Sequence, residues 1–159
     1  MAFLRPADVE RVRLRLERDL EDDVDVILFA VPQTGLFVPG RNESATGKQT
    51  EALLGEVAAL SEKIHVRVVN PRTDPDETTA FGVELDPAIV IEKRLPSGSP
   101  PAAAGRVRMY GVPTGYEFMT LLDAVTAASR AAPTLSDDTL AALGRLREPV
   151  HLQVFVTPT

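Results

Sequence analysis

The sequence predicts an α/β fold in which parallel strands are joined by helices. Residues 24–31 are apolar enough to form a strand that is buried on both faces. From residue 48 onward apolar side chains recur at helical spacing, and residues 64–70 begin with the alternation of a second strand. A strand, a helix and a strand in this order form a βαβ unit, whose two strands lie parallel in one sheet.

The other elements of the main fold are predicted by apolar spacing and by proline. Pro6 fits the first turn of an N-terminal helix, and the helix after the first strand is expected over residues 48–63. A short helix is expected within residues 71–81. Pro87 stands directly before a short apolar run. A strand is expected to begin there, because proline is best tolerated at the first residue of a strand. After a hairpin tip, residues 106–112 return as the fourth strand.

The C-terminal part is predicted to add two helices and a strand. Thr114 and Glu117 have the spacing of a capping box, so a helix should begin there. Ser136 should cap a last helix, and residues 150–157 have the apolar pattern of a final strand. The inward face of that last helix is expected to contain Leu140, Leu143 and Leu146. The expected architecture is a central mixed sheet of four strands flanked by helices, plus a C-terminal helix and strand.

Composition argues against several classes of function. The chain has 17 Lys and Arg against 23 Asp and Glu, a net charge of -6, which disfavours nucleic acid and anionic membranes as partners. No apolar run approaches the length of a bilayer span, and the N-terminus becomes charged before a signal segment develops, so a cytoplasmic protein is expected. Because there is no cysteine, the chain has no disulfide, no thiolate nucleophile and no thiolate metal ligand.

Two polar clusters have structural interpretations that we favour over functional ones. Three aspartates occur between residues 22 and 25, but no neighbouring ligand pattern accompanies them, and no metal site is predicted. Gly47 and Lys48 invite comparison with a phosphate-binding loop. That loop requires glycine where this chain has Asn42, and serine or threonine where it has Gln49. No catalytic residue and no cofactor are predicted.

The order of elements, with a proline directly before the third strand, resembles the thioredoxin fold. More specifically, the chain resembles the tandem glutaredoxin-like protein disulfide oxidoreductases, which join two thioredoxin-fold units. The resemblance is carried by Asp86-Pro87-Ala88, by residues 110–118 and above all by residues 154–159. It implies that Pro87 is a cis-proline facing the active-site loop, an uncommon isomer even for bonds to proline.

The chain departs from that family at the redox motif. The Cys-X-X-Cys pair is expected just after Val31, where this chain has Pro32, Gln33, Thr34 and Gly35. In the family, a segment like residues 154–159 ends the first strand of the second unit and is followed at once by Cys-Pro-X-Cys. The chain also resembles peroxiredoxin reductases with a tandem thioredoxin-fold domain, whose first fold lacks the redox pair. Residues 1–131 are therefore predicted to be a thioredoxin-like unit without redox cysteines, and residues 132–159 to lead toward a second unit.

Three functions remain open on this basis. The favoured one is a catalytically silent unit that serves as a scaffold or docking module for a protein partner or a second thioredoxin-fold unit, because thiol–disulfide exchange requires a thiolate. The second is a fragment of an active thiol–disulfide oxidoreductase whose Cys-X-X-Cys lies beyond Thr159. The third is a small-ligand or nucleotide-binding protein that uses residues 32–48. The final strand also offers an edge through which two copies could form a homodimer.

Overall fold

The computed structural model describes residues 3–32, 46–96, 106–148, 150 and 152–155. The elements within these ranges are α1 (Pro6–Asp19), β1 (Val24–Phe29), α2 (Gly47–Ala58), β2 (Ile64–Val69), α3 (Pro75–Ala80), β3 (Ala88–Lys93), β4 (Val107–Tyr110), α4 (Tyr116–Ser129) and α5 (Asp137–Leu143). The strands form one sheet in the order β2-β1-β3-β4. β1 and β2 are parallel, and β3 is antiparallel to both β1 and β4. The predicted mixed sheet of four strands flanked by helices is confirmed.

The two faces of the sheet bury two separate clusters of apolar side chains. Val24, Val26 and Leu28 of β1 pack with side chains from α1, α2 and α4 in the larger core cluster. Ile27 and Phe29 point to the opposite face, where they pack with Phe81 directly after α3. All five of these β1 side chains are at most 1% exposed. β1 is therefore buried on both faces, as its continuous apolar sequence predicts.

The N-terminal helix is held in place from two sides. Pro6 occupies the first turn of α1, where the missing amide hydrogen costs no intrahelical bond. Val12 and Leu16 are the buried side chains of this helix and belong to the larger core cluster. Just before α1, the backbone amides of Phe3 and Leu4 donate to the carboxylate of Glu56 in α2, at 2.8 Å and 2.9 Å. These bonds connect the N-terminal segment to α2.

Two helix boundaries differ from the prediction. α2 ends at Ala58, and the amides of Leu60 and Ser61 then bond carbonyls only three residues back, which tightens the last turn. The predicted capping box at Thr114 and Glu117 is wrong, because α4 begins at Tyr116. Gly115 is its N-cap, with a φ of 61° in the region that favours glycine, and it has no side chain with which to cap.

The C-terminal prediction is correct in its helix and wrong in its packing. The Ser136 hydroxyl accepts a hydrogen bond from the Thr139 amide at 3.3 Å and caps α5 as predicted. The three leucines expected to face inward, Leu140, Leu143 and Leu146, are exposed. Residues 150 and 152–155 form no strand in the part of the chain that the structure describes. An apolar strand needs a neighbouring strand and a covering layer, and neither is present for this segment among the described residues.

Candidate functional site

The candidate site lies at the carboxyl end of β1, where open α/β sheets collect ligands and reactive groups. The Ala30 amide donates to the Val69 carbonyl at 3.0 Å and keeps the chain beside β2 just past the end of β1. The chain then reaches Val31, which is buried, and Pro32, which is exposed. Because β3 is antiparallel to β1, the residues that precede β3 lie at this same end of the sheet.

Pro87 is buried beside the end of β1. The peptide bond between Asp86 and Pro87 is cis, and the Pro87 carbonyl accepts a hydrogen bond from the Gly111 amide at 3.0 Å. Gly111 has a φ of 90°, which allows the chain to turn away at the end of β4. The facing of Pro87 toward an active-site loop stays a prediction, since Gln33, Thr34 and Gly35 fall outside the described residues.

Asp86 connects the two segments that meet at the site. Its carboxylate oxygen Oδ2 accepts a hydrogen bond from the Val31 amide at 3.2 Å. This amide belongs to the residue just before the position at which the redox motif is expected. Reasoning from the sequence missed the role of Asp86 at the site. Its position directly before Pro87 was the one signal that could have pointed to this role. Its function in the structure is to fix the end of β1 against the start of β3.

A cavity of about 200 Å³ opens between the end of β1 and the start of α2. Its walls are formed by Ala30, Val31, Pro32, Gly47, Lys48, Glu51 and Val68. Pockets that hold ligands of drug size usually enclose about 300–1,000 Å³. Among the described residues, its walls carry one cation, Lys48, and one carboxylate, Glu51. Of the segment that the nucleotide-binding hypothesis uses, only residues 32 and 46–48 belong to the described part of the chain, so that hypothesis stays a prediction.

Few side chains that could take part in a reaction lie at this end of the sheet among the described residues. The chain contains no cysteine, and thiol–disulfide exchange proceeds only by attack of a thiolate on a disulfide sulfur. Among the described residues, the ionisable side chains that line the cavity are Lys48 and Glu51. Asp86 bonds to the amide of Val31, which is another lining residue. No histidine of the described residues occupies this end, because His65 lies near the start of β2 and pairs with Asp23 at 3.0 Å.

The three aspartates between residues 22 and 25 are held apart by different basic partners at the opposite end of β1. Asp22 pairs with Lys93 at 2.5 Å, Asp23 with His65, and Asp25 with Arg94 at 3.5 Å. Over the described ranges, no group of three or more His, Cys, Asp and Glu side chains is arranged to hold a metal ion. These carboxylates therefore make structural contacts with basic side chains around the start of the strand.

A buried ion pair that the sequence did not reveal supports the other face of the sheet. Arg106, just before β4, donates from Nε to Glu92 at 2.6 Å, and both side chains are largely buried. Its guanidinium carbon lies 4.4 Å from the centre of the Phe81 ring. Arg67 approaches the same ring at 5.7 Å. Cation–π contacts of this kind attach the end of α3 to β2 and β4.

No helix in the described ranges combines the length and apolar character that a membrane crossing requires. No protein-family model and no curated protein matches the sequence.

Solved structures do resemble the chain. The alkylhydroperoxide reductase AhpF of Enterococcus faecalis superposes with a TM-score of 0.69 at 18% identity, over 91% of this chain and 62% of that chain. Its separately solved N-terminal domain gives a TM-score of 0.65 at 18% identity, over 85% of this chain and 57% of that one. A protein disulfide oxidoreductase from Aeropyrum pernix gives 0.69 at 21% identity, over 92% of this chain and 56% of that one.

The chain thus spans 56–62% of the length of these three solved structures. At these identities the likeness establishes the architecture and not the activity. Together with the strand order β2-β1-β3-β4, it shows that the chain has a thioredoxin-like fold.

Proposed function

We propose that this chain is a catalytically silent thioredoxin-fold unit that serves as a scaffold and docking module for a second thioredoxin-fold unit. The observation that carries the proposal is the composition of the site: a thioredoxin-like sheet presents the end of β1, and no residue of the chain is a cysteine. A thiol–disulfide exchange step needs one sulfur to attack and another to leave, so the chain by itself supplies neither.

The architecture supports a structural role for this end of the sheet. Hydrogen bonds through Val31, Asp86 and Gly111 connect β1, β3 and β4 there, and the chain has no cysteine that could act as a thiolate nucleophile. Fixed geometry without a nucleophile is typical of a scaffold. The comparisons favour a larger assembly, since the matched chains are a reductase and a disulfide oxidoreductase, each longer than this chain.

The catalytic half of the proposal is tested with an insulin-reduction assay. This chain, at micromolar concentration with dithiothreitol, should leave the rate of insulin precipitation at the rate of dithiothreitol alone. A thioredoxin with its Cys-X-X-Cys pair serves as the positive control. Acceleration by the cysteine-free chain would refute catalytic silence, because the chain would then promote the reaction without a thiol.

The scaffold half is tested on the encoded protein. Extending the reading frame past Thr159 should yield a second thioredoxin-like pattern with a Cys-X-X-Cys motif directly after the extension begins. The extended protein should then reduce insulin, and a Cys→Ser change in that motif should abolish the activity. A stop codon directly after Thr159 would contradict the proposal of a second unit in the same chain.

A further inference from the structure

The outer side of β4 (Val107–Tyr110) is an unpaired edge among the described strands. Just past the end of β4 the Gly111 amide donates to the Pro87 carbonyl, in the antiparallel register of β3 and β4. Hydrogen-bonded positions alternate along an antiparallel strand. The backbone amides and carbonyls of Arg108 and Tyr110 therefore point away from β3 and are available to a further strand.

The side chains along this edge leave it open to a partner. Val107 is 38% exposed and Tyr110 is 44% exposed, and Arg108 is exposed as well. A row of unpaired backbone groups at the edge of a sheet is a template on which another extended segment can pair. The edge at β4 therefore has both the free backbone groups and the access that such pairing requires.

The positive charge of Arg108 is not neutralised within the described part of the chain. Its Nη1 donates to the Phe81 carbonyl at 3.2 Å, and that acceptor carries no net charge. Arg106, two positions earlier, has a carboxylate partner, because its Nε bonds to Glu92 at 2.6 Å. One arginine of this edge is thus balanced by an acid, and the other keeps its charge.

The opposite edge of the sheet, at β2, differs in this respect. Arg67 lies 2.6 Å from a carboxylate oxygen of Glu77, and His65 lies 3.0 Å from one of Asp23. The basic side chains of β2 therefore already have acidic partners on the chain itself. Of the two edges, β4 is the one that would gain from a negatively charged neighbour.

The two faces of β4 specify different chemistry in that neighbour. Successive side chains of a strand point to opposite faces, so Arg108 lies on one face, and Val107 and Met109 lie on the other. Met109 is partly buried against the larger core cluster. A strand that complements β4 therefore has acidic residues on the face of Arg108 and apolar residues on the face of Val107.

We propose that β4 binds an extended segment of a partner protein in which acidic and apolar residues alternate, as an additional antiparallel strand of the sheet. Main-chain hydrogen bonds would supply the pairing, and a carboxylate opposite Arg108 would supply the selectivity. A second copy of this chain fits less well, because symmetric pairing of two β4 strands would bring the arginines of both copies onto one face. The inference goes beyond the proposed function, since it concerns the outer edge of the sheet and not the end of β1.

The proposal is tested by NMR titration with a short peptide of alternating glutamate and valine, with blocked termini. The amide resonances of Arg108 and Tyr110 should shift most. A peptide of alternating lysine and valine should bind more weakly by about fivefold or more, because like charges placed opposite each other are destabilising. Equal binding of the two peptides, or shifts centred on β2, would overturn the proposal.

Methylation of the peptide backbone tests whether the segment pairs as a strand. A glutamate opposite Arg108 would direct its amide toward β4, whereas the amides of the valines would point outward. Methylation of the glutamate amides should therefore abolish binding, and methylation of the valine amides should leave it largely intact. Equal tolerance of both modifications would show a purely electrostatic contact and would refute strand addition.

Arg108→Gln and the matched control Arg11→Gln test the charge. Arg11 is an exposed arginine of α1, so its removal should leave binding of the glutamate peptide unchanged, whereas Arg108→Gln should weaken it by about threefold or more. Arg108→Lys keeps the charge and should restore most of the affinity. Equal losses in the Arg11 and Arg108 variants would contradict the assigned site. Shifts of the β4 amides with protein concentration alone would overturn the proposal in favour of a second copy as the occupant.

Discussion

The Val31 amide donates a hydrogen bond to the Asp86 carboxylate, and this bond joins the end of β1 to the segment before β3 across 55 positions of sequence. A hydrogen bond to a charged group typically stabilises a protein by about 1.5–3 kcal/mol, and less when the group is exposed. Asp86 is exposed. Asp86→Ala should therefore lower the free energy of unfolding by about 1 kcal/mol.

Urea unfolding measures this loss, and the Val31 amide resonance should shift in the same variant. Asp86→Asn keeps an acceptor oxygen and should lose less stability than Asp86→Ala. Glu84→Ala, an exposed carboxylate two positions earlier, is the control and should leave both measurements unchanged. Equal effects of Asp86→Ala and Glu84→Ala would show that the bond contributes nothing.

The Arg106–Glu92 pair should be strongly coupled in a double-mutant cycle. The side chains are only 11% and 14% exposed, so removing one partner leaves the other charge largely desolvated. Breaking such a pair costs about 3–5 kcal/mol when it is fully buried. Arg106→Ala and Glu92→Ala should each destabilise by about 2 kcal/mol or more, and the double variant by clearly less than their sum.

An exposed pair of similar length supplies the control for this cycle. Arg5 and Asp8 lie 2.7 Å apart, but the Arg5 side chain is 83% exposed. Exposed pairs contribute little to stability because water and salt screen them, so the coupling between Arg5→Ala and Asp8→Ala should be several times smaller. Additive losses at Arg106 and Glu92 would contradict the importance assigned to their ion pair.

Packing of α4 on the sheet should depend on Leu121 and not on Met119. Leu121 is fully buried and belongs to the larger core cluster, whereas Met119 is 50% exposed on the same helix. Leu121→Ala should destabilise by about 2–5 kcal/mol through lost burial and the cavity that remains. Met119→Ala should cost less than about 0.5 kcal/mol. Thermal or urea unfolding compares the two, and similar losses would mean that α4 packs on the sheet differently.

The sequence predicts those features that depend on local pattern. The burial of β1 on both faces follows from its continuous apolar run, and the capping of α5 follows from Ser136 and the residues after it. The bond between Val31 and Asp86 could not be predicted, because no local pattern pairs residues so distant in sequence. The stacking of Arg106 on Phe81 could not be predicted for the same reason. The prediction that Leu140 packs inward was wrong. An apolar stripe indicates that a helix face can be buried, but it does not indicate which element covers that face.

The pH dependence of the free energy of unfolding at acidic pH should depend on Asp22. The hydrogen bond from Lys93 and its positive charge hold the pKa of the Asp22 carboxyl below its ordinary value, with a smaller contribution from Lys63. Because the folded-state pKa is lowered, this carboxylate stabilises the fold at pH values above the unfolded-state pKa of about 3.9. That contribution is lost as the pH falls through the folded-state pKa. Carbon-13 titration of the Asp22 carboxyl should therefore give a midpoint below the ordinary one.

Lys93→Met should raise the pKa of Asp22 toward its ordinary value and make unfolding stability less dependent on pH below about 4. Lys48→Met, at the opposite end of β1, is the control and should leave the Asp22 titration unchanged. At about 1 M salt the difference between wild type and Lys93→Met should shrink, because the Debye length is then only about 3 Å. An Asp22 midpoint that is the same in wild type and Lys93→Met would show that the ion pair does not persist in solution.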